Sequence, residues 1–389
     1  MVLLSYLPLI SYSYGIPYYI LILLAISFNK LRNNRRYDSN LSKPVLFFTI
    51  ILIIFFGLRG FVQTDCLNYY NIYEKIPTLW EIGKYNNHLD GIEPGFFVYS
   101  SIIKSINPDF HFWVFVNTLI DIVIFTWFFK RYSTSVLLSW VVFFIFSGLV
   151  IELNLYRNAK SICLFLLAIP YIQQRKFVKF ALLWICAILF HTSAILYLPG
   201  YFILNRRWGK IIPIILLLIV NAIFFLKLFP TTLIIGHFLN VEGEFIAKAT
   251  GYLSNGKELG ISLGYIERLT MFILCVVYGS KLVSSNRSNL VFINSFYIYY
   301  VLWYIFSDVA VFVERFPLLF SYSYWILVPN FISICRNRYK KIIYAGLICF
   351  LSAKIFILTD HILYRYDNLL FGIESKTSRE IDCDRYMSK

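Results

Sequence analysis

Residues 149–165 read LVIELNLYRNAKSICLF. An apolar run, SVLLSWVVFFIFSGLV, leads into them at 135–150, and a second, SICLFLLAIPYI, leads away at 161–172. Between the runs sit Glu152, Asn154, Tyr156, Arg157, Asn158 and Lys160. Ionised groups at membrane depth are costly, so they are rare there and mark paired or functional positions. The flanking runs decide the fold class. The charged interruption raises the question of function.

The rest of the chain repeats the pattern. Its 389 residues are 59% hydrophobic and only 15% charged, where soluble domains average about 25% charged. Mean hydropathy is +0.68. Many apolar blocks approach the roughly 20 residues that a bilayer-crossing helix needs. Solid apolar blocks, rather than short alternating segments, exclude a β-barrel. The fold class is therefore an all-α polytopic integral membrane protein. The opening MVLLSYLPLI has no basic region and no small-residue cleavage site, so it reads as a first membrane segment and not as a cleaved signal. Of seven cysteines, five lie in apolar runs and none forms a C-x-x-C pair.

The net charge is +15, yet no nucleic-acid-binding signature accompanies it. The charge is better read as topology. Six breaks between apolar runs, at 29–43, 130–131, 173–180, 205–210, 281–289 and 336–341, hold nineteen Lys and Arg, with Asp38 their sole acid. The alternate breaks, 59–110, 152–160, 191–193, 229–268 and 307–316, hold most of the carboxylates. Lys and Arg concentrate on the cytoplasmic side, which makes the first set cytoplasmic and the second external. About twelve membrane segments follow, near 5–28, 44–58, 111–129, 136–151, 161–172, 178–191, 194–204, 211–228, 264–281, 290–306, 317–335 and 342–358. Pro170 and Pro199 are expected to break the short segments around them, and 93–106 is expected to form an interfacial helix. The chain reads as one membrane domain, 1–358, with outer loops 59–110 and 229–263 and a polar tail, 359–389.

On the outer side, Arg59, Arg157, Arg268, Arg315 and His191 all fall at helix ends, against the usual direction of the positive-inside bias. A guanidinium stays charged and grips two phosphate oxygens at once, so such a group suits a lipid-linked pyrophosphate. Each Arg has an acid nearby in sequence: Glu152 for Arg157, Glu267 for Arg268 and Glu314 for Arg315. Simple charge pairing is thus the competing explanation. An imidazole is the side chain best suited to proton transfer at physiological pH, so His191 is a candidate for that role, or it packs as a hydrogen-bonded core residue. Asp65 and Glu93 lie beside membrane entry points and are candidate bases for an acceptor hydroxyl. Asp121 is an acid within a span, with no obvious partner in the sequence. The histidines have no metal-ligand spacing. A P-loop and a nucleophile elbow are both absent.

The order GLRGFVQTDCLNYYNIY, IEPGFFVYSSIIKSI, LYRNAKSICLFLLAIPYIQQRKFVKFALLWICAILFHTSAILYLP and ERFPLLFSYSYWILVPNFI resembles the EpsG-like family of Wzy-type polysaccharide polymerases. The resemblance spans about 55–335. Family members often carry Gln soon after the helix-opening Arg, where this chain has Lys160. The resemblance implies a GT-C-like membrane enzyme at the outer face of the bacterial inner membrane. Such an enzyme moves a growing glycan from polyprenyl (undecaprenyl) pyrophosphate to the non-reducing end of a lipid-linked repeat unit. It implies no cofactor, no nucleotide sugar and no metal. The implied partners are the lipid-linked oligosaccharide, membrane lipid and a Wzz-like chain-length regulator. Arg59, Arg157, Arg315 and Arg268 would hold pyrophosphate, and Asp65, Glu93 or His191 would act on the acceptor hydroxyl. A membrane O-acyltransferase, a lipid-linked-oligosaccharide flippase and an O-antigen ligase are the competing readings.

Overall fold

The computed structural model describes residues 7–34, 43–84, 91–227, 262–307 and 310–388. Nearly all of the expected outer loop 229–263 lies outside them. Within them the fold is helical. Its first half comprises α1 (Ile16–Asn34), α2 (Lys43–Gly57), α3 (Thr64–Lys75), α4 (Pro94–Ile106), α5 (Phe110–Tyr132), α6 (Val136–Phe143), α7 (Leu149–Asn154), α8 (Tyr156–Gln173) and α9 (Phe177–Phe190). Then follow α10 (Leu198–Ile203), α11 (Ile211–Leu226), α12 (Leu263–Ser285), α13 (Asn289–Ile305), α14 (Ala310–Arg315), α15 (Tyr322–Ile334), α16 (Asn337–Leu358) and α17 (Lys376–Met387).

Among the described residues, five stretches are long and apolar enough to cross a bilayer: Tyr12–Asn29, Phe110–Tyr132, Val136–Asn154, Pro317–Ile334 and Asn337–Leu358. Five shorter apolar helices accompany them. The protein is thus a multi-pass helical membrane protein.

The spans are less regular than their composition. Val136–Asn154 bends where Phe146 and Ser147 leave helical geometry, Ser147 at φ +66°. The carbonyl of Phe146 freed by the bend accepts a hydrogen bond from Trp325 Nε1 at 2.8 Å. A broken helix persists in an apolar interior only when such groups are re-satisfied. A second break, at Leu155 (φ −113°, ψ 58°), separates α7 from α8. Pro170, expected to interrupt its segment, does not. It lies inside α8, which continues to Gln173 at the cost of the one backbone hydrogen bond that a proline cannot donate. The chain breaks instead at His191, whose backbone is extended (φ −158°, ψ 125°).

Among the described residues, the two sets of breaks occupy opposite ends of the helices. At one end Asn330 binds the Tyr132 carbonyl, Asn205 the Ile172 and Gln173 carbonyls, Asn294 those of Leu204 and Arg206, and Lys281 that of Ile334. These are neighbours of the basic breaks. At the other end lie Arg59, Glu93, Asn154, Arg157 and His191. Helix α5, with 23 residues, separates the ends by about 34 Å at 1.5 Å per residue.

The tail belongs to that second end. Gly60 N–H donates to the Asp367 carbonyl, Gln63 N–H to Leu363 and Leu369 N–H to Leu58. Ile362 N–H donates to Leu9, which ties the tail to the start of the described chain as well. Arg379, buried, holds Asp367 (3.1 Å) and Glu374 (3.2 Å) across the tail's own fold. A reporter fused after residue 388 should therefore report the same side of the membrane as one at 85, and the opposite side from reporters at 35 and 177. Agreement of 388 with 35 would contradict this arrangement.

Candidate functional site

Four short segments meet at the tail-bearing end: α3, the start of α4, the α7–α8 break and the end of α9. An aromatic cluster beneath them, including Tyr69, Tyr73, Phe96, Phe110, Trp113 and Tyr156, fixes their relative positions. Tyr69 and Tyr156 rings meet edge to face at 5.0 Å, and Trp113 lies 4.9 Å from Tyr156. Such pairs add about 0.5–1.5 kcal/mol each beyond their buried area.

Glu93 is the centre of the polar cluster. Pro94 and Gly95 open α4 directly after it. A Cβ on Gly95 would stand 2.7 Å from the Leu189 carbonyl oxygen, so only glycine allows α4 to lie this close to α9. The approach brings Glu93 Oε1 to 3.0 Å from His191 Nδ1. Oε1 also faces the Thr192 N–H at 3.3 Å. The other oxygen, Oε2, is 2.6 Å from Arg157 Nη1. Arg157 donates further to the Gly91 carbonyl (2.6 Å) and, through Nε, to the Tyr69 hydroxyl (2.8 Å). Its Nη2 has no partner among the described residues, and 24% of its side chain is exposed. Arg157 is thus held rigidly while keeping donors free at the surface.

Partial burial raises the pKa of the Glu93 carboxyl. The His191 hydrogen bond and the Arg157 charge outweigh it, and the pKa falls to about 2. Glu93 therefore remains an anion across the physiological range, a poor base but a durable anchor. A lowered carboxylate pKa contributes stability above the ordinary value near 4.5, on the order of 3 kcal/mol here, and loses it as pH falls towards 2. Asp65, half-buried on α3, behaves oppositely. Burial raises its pKa despite the lowering influence of Arg315, an Asn68 hydrogen bond and Arg157. Its backbone N–H is fixed by Asn154 Oδ1 at 3.0 Å. Arg315 is exposed and lies close enough to Asp65 for its charge to act on that carboxyl. No three His, Cys, Asp or Glu side chains among the described residues gather in a metal-binding arrangement.

Two of the sequence-named arginines lie elsewhere. Arg59 is completely buried. It donates to the Phe56 carbonyl, Thr118 Oγ1 (2.9 Å), the Glu152 carbonyl (2.9 Å) and the Tyr156 hydroxyl (3.1 Å). Its Nη1 lies 3.6 Å from Glu152 Oε1. Glu152 is therefore the counterion of Arg59 and not of Arg157. Arg268, also buried, stacks on Trp303 at 3.9 Å and donates to the Tyr304 hydroxyl. Its sequence neighbour Glu267 pairs with Lys354 at 2.5 Å instead. Asp121 does have a partner: Lys160 Nζ at 2.5 Å, with Cys163 Sγ at 3.3 Å.

The EpsG family model matches residues 44–368. The chain belongs to the EpsG family. Membership points to a membrane protein of the polysaccharide-polymerase type. Neither a curated protein nor a solved structure matches this EpsG-family chain. The match covers every candidate residue named above and stops short of α17. Sequence reasoning did not join Tyr69 to Arg157, because a tyrosine near a membrane surface is ordinary. Its spacing of four residues from Asp65 on α3 puts both on one helix face, which was the available signal. It overlooked the role of Asn154 because nothing local ties that side chain to α3.

Proposed function

We propose that this EpsG-family chain is a Wzy-type surface-polysaccharide polymerase of the bacterial inner membrane, with its site facing outward. The observation that carries the reading is the convergence of Arg157 and His191 on Glu93, at 2.6 and 3.0 Å, at the end of the bundle away from the basic breaks. Arg157 and Arg315 would bind the pyrophosphate of the undecaprenyl-linked donor. The acceptor hydroxyl attacks the anomeric carbon, the bond from that carbon to the pyrophosphate oxygen breaks, and the lipid pyrophosphate departs with the negative charge. Guanidinium groups fixed before the reaction favour that developing charge. Because Nδ1 of His191 faces Glu93, its Nε2 is the nitrogen left to take the hydroxyl proton. Asp65, with its raised pKa, is the second candidate base.

The His191–Glu93 pair also suits a membrane O-acyltransferase, which would need His191 and not Arg157. Deleting the gene and examining surface glycan separates the readings. A polymerase mutant carries glycan of one repeat unit. Wild-type chain length would overturn the reading, and complete loss of glycan would point to a flippase. Full-length chains lacking only acyl substituents would point to the acyltransferase.

A further inference from the structure

Towards the basic breaks, α12, α15 and α16 enclose an open slot of about 720 Å³. At the other end α12 and α16 are tied together, since Lys354 of α16 holds Glu267 of α12 at 2.5 Å. Leu274 and Tyr278 line the slot from α12, Ile343 and Leu347 from α16, and Val328 and Phe331 from α15. Its walls are open: Tyr278 is 48% exposed and Ile343 40%. Helix α16 has little other cover, its buried residues being Leu351 and Ile355. The mouth of the slot is basic. Lys281 gives one donor to the Ile334 carbonyl at 2.9 Å, which leaves two of an ammonium's three. Arg336, exposed, lines the same mouth. No side chain caps the start of α16 there, so the positive end of that helix's dipole adds to the two cations. Neither 271–285 nor 328–347 contains Asp or Glu.

This lining selects an amphiphile. From Met271 to Lys281 the slot runs about 15 Å along α12 at 1.5 Å per residue, half of the roughly 30 Å hydrocarbon core. An acyl chain is one leaflet deep and fits that length. Cations without facing carboxylates suit a phosphate at the mouth, and basic pockets between membrane helices attract anionic headgroups. An uncharged isoprenoid chain or an apolar helix would fill the slot but leave Lys281 and Arg336 without a counterion. Free phosphate would occupy the mouth and leave the apolar walls bare. We propose that the slot binds one anionic phospholipid from the leaflet at the basic end, with an acyl chain between α12 and α16 and the phosphate at Lys281 and Arg336. The lipid supplies the packing that α16, the helix leading into the tail, lacks on this side. The proposal is independent of the polymerase reading.

The test adds phosphatidylglycerol or phosphatidylcholine of matched chains to the full-length protein in mild detergent and counts bound lipid by native mass spectrometry. The wild-type protein should retain one phosphatidylglycerol at least tenfold more tightly than phosphatidylcholine. Lys281→Ala combined with Arg336→Ala should remove that preference. Ile343→Trp, which fills the slot and keeps every charge, should weaken retention at least tenfold. Lys340→Ala combined with Lys341→Ala removes two cations of the same basic break outside the slot and should change nothing. Arg336→Ala alone, at an exposed position, keeps the test valid if the Lys281 variant fails to accumulate. Equal retention of the two lipids by the wild type, or an equal loss on removing Lys340 and Lys341, would overturn the site in favour of a diffuse surface charge. Full competition by glycerol phosphate would overturn the acyl-chain assignment. A dimer dispersed by Ile343→Trp, with lipid retention unchanged, would give the slot to a second copy of the chain.

Discussion

Cells whose only copy carries Arg157→Ala should make surface glycan of a single repeat unit while the protein accumulates in the membrane at wild-type level. Arg157 is partly exposed, its bond to the Gly91 carbonyl is open to water, and Glu93 keeps His191 and Thr192 as partners, so its loss strands fewer buried groups than loss of a fully buried arginine would. The expected fall in polymerisation rate is about 10²–10³-fold, the magnitude seen when one preorganised donor to a developing charge is removed. Arg157→Lys should not restore it, since an ammonium cannot hold Tyr69, Gly91 and Glu93 while still presenting donors to a pyrophosphate. Glu93→Gln should reproduce much of the defect, because it frees Arg157 and His191 together without emptying the site. The measurement is glycan ladder length against membrane-fraction abundance. Full polymer from Arg157→Ala would remove Arg157 from the site, and full polymer from Arg157→Lys would reduce it to a simple positive charge.

How much of this was legible beforehand varies by residue. The helices were, because long apolar blocks leave a membrane chain few alternatives. The grouping of Arg157, His191 and Glu93 at one end was legible as well, since the distribution of Lys and Arg sorts the breaks into two sets. The pairing within that end was not. Neighbours in sequence suggested Glu152 for Arg157 and Glu267 for Arg268, but a charge in a helical bundle pairs across helices. Arg59 reaches Glu152 over 93 positions of chain, and Lys354 reaches Glu267 over 87. Lys160 shows the same limit. Alone, it reads as a departure from the family pattern; beside Asp121 it is half of a neutral buried pair. The glycine of the EPG step is a subtler case. Its need arises from the Leu189 carbonyl, which no local rule connects to residue 95.

Arg59 marks the sharpest division between reading an arginine and placing one. Arg59→Ala should fail at the level of the protein and not of the chemistry. The substitution leaves Glu152, 1% exposed, without its counterion, and leaves the Tyr156 hydroxyl and the Glu152 carbonyl without a donor. Removing one partner of a buried ion pair costs about 3–5 kcal/mol, a large share of a typical 5–15 kcal/mol of stability. The variant should therefore be nearly absent from membranes, with the little that remains losing its fold at much lower temperature in a detergent melt. Glu152→Ala should do the same. The double substitution Arg59→Met with Glu152→Leu removes both charges at similar volume and should recover much of the abundance, since a well-packed apolar pair often matches a buried ionic one. If Arg59 instead gripped the substrate, Arg59→Ala would accumulate normally and lose polymer, and the double variant would recover nothing. If it braces the site, the recovered double variant also regains polymer, because Arg157, Glu93 and His191 keep their places above it.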